Sequence, residues 1–230
     1  MRKILTGLGI FVCLFGGLAI PARAEFMIAS AIVEFTANGP RQQDIELVSR
    51  SKDNDYIEAS ISEIIHPGEK DETRRVIEDP ATAGLLVTPD KTVLAGGGRR
   101  VLRFVLLKEP DAEEHIYRVA IKPVIKGLDT SGKVGLKILV GYEVLVIVRP
   151  VVPAPQYTAG RQGKTFTIRN TGNTNILFQN GRQCADAGTC VVPPAIRVYA
   201  GGTAHAELPY DTPVTYSLWD GAETTEKQFP

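Results

Sequence analysis

The chain has 230 residues, of which 43% are hydrophobic, 23% charged and 7% aromatic. That composition is globular and excludes wholesale disorder and collagen-like repeats. Lys plus Arg and Asp plus Glu number 26 each, so the basic excess expected of a nucleic-acid binder is missing.

Arg2 and Lys3 form a positive region ahead of an apolar run from Ile4 to Ile20, which Pro21 breaks. Ala22-Arg23-Ala24 then supplies a small-x-small cleavage site. Residues 1–24 are therefore expected to be a cleaved secretory signal, with a mature chain starting at Glu25 and not inserted in a membrane. The competing reading, an N-terminal anchor, is disfavoured by a run at the short edge for spanning. Cleavage removes Arg2, Lys3, Arg23 and Cys13, leaving 23 basic against 26 acidic residues, a net charge of −3. Cys184 and Cys190 remain, and in an oxidising compartment such a pair bridges.

Apolar alternation begins at once in the mature chain. Ile28 to Phe35 reads as one strand closed by Asn38-Gly39-Pro40, followed by strands at Asp44–Val48 and Tyr56–Ile64. The charged stretch Glu69 to Thr82, with Pro80, leaves room for one short helical turn and nothing more. Leu85–Thr88, Lys91–Leu94, Arg100–Leu106 and Ile116–Lys122 are further strands. Gly96-Gly97-Gly98 is a tight inter-strand turn and not a phosphate loop, because no helix follows it. Arg149 to Pro155 is Pro-dense and stiff, a natural interdomain linker. Beyond it lie shorter strands at Thr165–Ile168, Asn175–Phe178 and Val214–Trp219. Many short strands with Gly, Pro and Asn turns mean an all-β chain of two sandwiches, 25–148 and 156–230, joined by the linker 149–155.

The stretch before the linker stands apart. From Val134 to Val148 the even positions are Val134, Leu136, Ile138, Val140, Tyr142, Val144, Val146 and Val148, all apolar. Alternate side chains share one face of a strand, so this is one continuous apolar face, about 50 Å long at about 3.3 Å per residue. That is two to three times a usual sandwich strand. One competing reading is a core strand, or two strands kinked at Gly141, buried entirely at home. The functional reading is that Val134 to Val140 forms an edge offered to a partner, since an exposed apolar edge is a hazard unless occupied. Burying those side chains in a partner would contribute on the order of 6–10 kcal/mol before ordering costs.

Several stretches together resemble the periplasmic chaperones of the PapD-like, chaperone–usher class, which assemble bacterial pili. In the first domain these are Leu85–Pro89 leading to Arg103-Phe104, then Tyr117-Arg118-Val119, and the long strand ending Val148-Arg149-Pro150. In the second they are Ile168–Asn173, the Cys184/Cys190 pair and Ser217–Gly221. The resemblance covers essentially the whole mature chain and is nearer the alternate branch typified by EcpB-type common-pilus chaperones. It implies two immunoglobulin-like domains arranged as an L. It also implies donation of Val134, Leu136, Ile138, Val140 and Tyr142 to an incomplete pilin sandwich, by donor-strand complementation. The partners it implies are pilins and an outer-membrane usher, and the location is the periplasm. Better-known members anchor the pilin's C-terminal carboxylate with a first-strand Arg and a last-strand Lys placed four before the Arg-Pro. Here Ile28 to Phe35 holds no basic residue and the last-strand position is Leu145. Arg118, on the neighbouring strand, is the favoured substitute and Lys137 the weaker one.

Other chemistry is sparse. His66, His115 and His205 lie in separate contexts without metal-ligand spacing, and no Gly-x-Ser-x-Gly elbow occurs. Glu113-Glu114 reads as a solvated loop, and Tyr216, Leu218 and Trp219 as a sandwich strand with flanking surface aromatics. No enzyme activity, metal or cofactor is expected. The competing function is a two-domain pilus subunit or adhesin, which would carry a donor extension near its mature N-terminus; here the alternating strand lies mid-chain.

Overall fold

The structure, a computed structural model, describes residues 26–124, 139–186 and 188–230. In the first domain the strands are β1 (Phe26–Ile28), β2 (Ile32–Phe35), β3 (Gln42–Ser49), β4 (Asp55–Ile65) and β5 (Thr73–Val76). A helical turn, α1 (Pro80–Ala83), precedes β6 (Leu85–Thr88), β7 (Lys91–Leu94), β8 (Arg99–Leu106), β9 (His115–Val124) and β10 (Tyr142–Val148). The second domain holds β11 (Tyr157–Gln162), β12 (Thr165–Asn170), β13 (Ile176–Cys184), β14 (Cys190–Val191) and β15 (Ile196–Val198). It closes with β16 (Thr203–Glu207), β17 (Val214–Trp219) and β18 (Thr224–Phe229).

Each domain is an immunoglobulin-like sandwich. In the first, the sheet β1-β3-β8-β6 faces the sheet β2-β10-β9-β4-β5, with β7 also paired to β4. Inward residues from both sheets form one core, among them Phe26, Leu47 and Phe104 on one side and Ile61, Val119 and Val146 on the other. In the second, β11-β12-β16 packs on β14-β13-β17-β18, with β15 against β13. Its core is aromatic: Phe166 stacks on Tyr216 at 5.8 Å between ring centres and meets Phe178 and Phe229 edge-on or tilted. The inward set at Tyr216 and Leu218 is thus the sandwich core expected of that strand.

Three elements depart from the sequence reading. The expected strand Ile28–Phe35 is two, because the chain crosses from one sheet to the other: β1 pairs with β3, while β2 pairs with β10. At the crossing the Ser30 hydroxyl accepts from the Ile32 amide at 3.2 Å and donates to its carbonyl at 2.8 Å, turning the backbone out of the ladder. The charged stretch after Glu69 contains β5 as well as the helical turn. All four β5 residues are exposed, so no alternation marks the strand; pairing with β4 and ion pairs of Arg75 with Glu63 and Arg74 with Glu143 hold it. Finally, the described part of the long strand starts at Tyr142, with residues 139–141 outside any ladder. Val134, Leu136, Lys137 and Ile138 lie outside the described residues.

The Cys184–Cys190 disulfide is present and closes a loop of sequence separation 6 at the end of β13. A loop this short removes little freedom from the unfolded chain. Replacing both cysteines by alanine is expected to lower stability by about 2 kcal/mol at most, read from urea unfolding. A second domain that fails to fold without the bridge would contradict this.

Candidate functional site

The geometry is built around β10, which pairs antiparallel with β9 along its whole length, Tyr142 against Ile121 through Val148 against His115. On its other side β2 covers only Leu145 to Val148, in parallel register. From Tyr142 to Val144 that edge has no strand partner among the described residues, and it runs directly into Val140, which is 40% exposed. Leu139, Gly141, Tyr142 and Glu143 line a shallow groove with Ala120, Lys122 and Pro123 from β9. Val144, Val146 and Val148 stay in the home core. Tyr142 is seated there too: its ring meets Phe26 edge-on at 5.2 Å and its hydroxyl donates to the Phe26 carbonyl at 2.9 Å. Of the expected donated side chains, Val140 is therefore exposed and Tyr142 is held at home.

The opposite face of the same sheet turns toward the second domain. Residues paired across strands project on one side, so Ser62, Arg118, Leu145 and Ile32 form one row across β4, β9, β10 and β2. Ile64, Ile116, Ile147 and Glu34 form the next. Leu145 and Ile147 are buried although they point away from the core of their own sandwich. They cluster with Ile64 and Ile116 under Tyr199 of the second domain. Arg118 is half-buried beside Leu145 and has no hydrogen bond or ion pair among the described residues. Ile32, at the end of the row, is exposed.

Next to this cleft the domains are joined by buried polar chemistry. Arg149, at the start of the expected linker, is in fact one of the most deeply buried side chains, with 1% exposure. Its Nε donates to Glu34, and its Nη1 donates to the Thr174 hydroxyl at 2.5 Å, the Asn175 carbonyl at 3.1 Å and the Asp220 carbonyl at 2.9 Å. Glu114 corrects the expectation of a solvated loop acid: its side chain is buried. Its Oε2 accepts from the Thr174 hydroxyl, the Asn175 amide and the Asn175 Nδ2 at 2.9, 2.9 and 2.6 Å. Thr174 thus relays between the arginine and the glutamate. Gly221 covers the guanidinium at φ +102, and a Cβ there would fall 2.2 Å from Arg149 Nε. Two loops of the first domain add contacts: the Glu69 carboxylate accepts from the Thr203 amide at 2.7 Å, and the Ala112 carbonyl accepts from Asn173 Nδ2 at 3.1 Å.

Sequence reasoning missed this junction. Its available signal was the end of β10, where Leu145 and Ile147 are apolar on the second face as well, the mark of a strand buried on both sides. The three histidines stand apart in the fold, facing Asp71, Asp111 and Thr167 respectively. No helix among the described residues is long and apolar enough to cross a membrane.

No protein-family model matches the chain. It is 33% identical over 194 residues to a CS1 fimbrial protein of Escherichia coli, covering 80% of this chain and 76% of that protein. Its fold matches the crystal structure of the class 5 fimbriae chaperone CfaA with a TM-score of 0.63 and 24% identity, over 89% of this chain and 99% of that one. It also matches the structure of Salmonella enterica SafA pilin in complex with the SafB chaperone, at a TM-score of 0.64 and 13% identity, over 91% and 98% of the two chains.

Proposed function

Since the chain belongs to the fimbrial chaperones of the PapD-like class, alongside its CS1 fimbrial relative, we propose that it binds pilus subunits in the periplasm by donating a strand, and delivers them to an outer-membrane usher. The observation that carries this reading is the uncovered edge of β10 between Tyr142 and Val144, continuous with exposed Val140. A strand laid along that edge makes main-chain bonds that demand no single partner sequence, while alternate side chains supply the fit. The donated set is Val134, Leu136, Ile138 and Val140, with Tyr142 fastening the base of the strand to Phe26. Residues 1–24 carry the chain across the inner membrane, and residues 149–155 lead from the first domain to the second.

Arg118 is the proposed anchor for the pilin's C-terminal carboxylate. It sits directly across from Leu145, is half-buried in the cleft, and has its guanidinium uncommitted among the described residues. A planar fork of donors suits a carboxylate better than the point charge of Lys137 would.

Ile138→Asp places a charge in the middle of the donated face and is expected to abolish co-purification with a co-expressed pilin. The circular dichroism of the variant should remain that of a folded β protein. Undiminished capture would remove the strand-donation reading. Arg118→Ala should weaken capture more than Lys137→Ala; wild-type capture by both would reject the anchor assignment.

A further inference from the structure

The cleft wall opposite Arg118 belongs to the second domain. Tyr199 lies on Ile64, Ile116, Leu145 and Ile147, so its ring occupies the row next to Arg118 and touches Leu145, the cross-strand partner of Arg118. Its seat is tight: a Cβ at Gly68 would come within 3.3 Å of the ring. From this geometry we infer that Tyr199 is a second ligand of the proposed Arg118 site, its hydroxyl donating to the same pilin carboxylate, so that both domains build the anchor.

This inference rests on the reading of Arg118 given above and extends it across the cleft. Three observations support it. The Tyr199 hydroxyl, like Arg118, has no hydrogen bond among the described residues. Burial holds the phenol above its ordinary range, against the opposing pull of the Arg118 and Arg197 charges, so at neutral pH it keeps its proton and is a donor. Arg197 is itself committed, donating to the Asn175 side chain, and acts on Tyr199 as a fixed nearby charge. A carboxylate has about four lone-pair directions, and a bidentate arginine uses two of them, leaving acceptors for a hydroxyl from the other wall.

The test uses short probe peptides of alternating valine and threonine, made with a free C-terminal carboxylate and as the amide. They are titrated into the mature protein and its variants and followed by NMR. Wild type is expected to prefer the acid over the amide, and Arg118→Ala to lose that preference. Tyr199→Phe keeps the ring packing, so its thermal unfolding should match wild type. It should bind the acid about tenfold more weakly, as for loss of a hydrogen bond to a charged group, with amide binding unchanged. If Arg118→Ala loses the preference while Tyr199→Phe retains it in full, the role of Tyr199 is overturned and that of Arg118 stands. If wild type itself shows no preference, the Arg118 reading falls and takes this inference with it.

Discussion

Arg149→Ala is expected to lower the unfolding free energy by about 3–5 kcal/mol and to uncouple the two domains. The magnitude follows from what the variant strands. Glu114 is buried with Arg149 Nη1 3.8 Å away, and Glu34 bonds the same guanidinium. Removing the cation leaves a buried carboxylate whose charge is offset only by the Thr174 and Asn175 donors. It also leaves the Asn175 and Asp220 carbonyls without the donor that links them to the first domain. Urea unfolding followed by tryptophan fluorescence and by circular dichroism should then give separate transitions, since Trp219, the one tryptophan, lies in the second domain. Adding Glu114→Gln to Arg149→Ala should recover part of the loss, because the stranded charge is gone. Gly221→Ala, which drives a methyl into the guanidinium at a φ unfavourable to side chains, should act in the same direction. Coincident transitions at the wild-type midpoint for Arg149→Ala would show that the arginine does not join the domains.

What was legible in the sequence divides along physical lines. Period-two alternation on strands with one solvated face carries straight into structure, so Tyr56–Ile64 and Ile116–Lys122 stand where they were expected, as β4 and β9. The disulfide was legible because cleavage of the signal would leave two cysteines. β5 was not, because a strand held by its neighbour and by surface ion pairs has no apolar period to show. Arg149 and Glu114 were not, for a different reason. A buried ion pair has the same composition as a solvated one, and its burial depends on Thr174, Asn175 and Asp220, which only the fold brings together. Tyr199 belongs to the same class: nothing in Arg197-Val198-Tyr199 announces that the ring crosses to the other domain.

That crossing accounts for the residue at the last-strand position where better-known chaperones carry lysine. Leu145→Lys, which puts that basic side chain back, is expected to destabilise this protein by about 3–5 kcal/mol rather than improve carboxylate capture. Leu145 is 6% exposed, packed among Ile64, Ile116, Ile147 and Tyr199, and an ammonium there would be desolvated without a partner. Its cross-strand neighbour is Arg118, so the new charge also meets a like charge. Both effects depress the folded-state pKa of the new lysine below its unfolded value. Over that interval the unfolded chain binds more protons, so the variant's stability should rise with pH, recovering toward wild type in alkali. Urea midpoints measured from neutral to alkaline pH would test this; a wild-type midpoint with no pH dependence would mean that Tyr199 does not seal the row. The charge and the seal cannot share one position. With leucine packed under the second domain, the basic group moves one strand over, to Arg118, where the cleft is open.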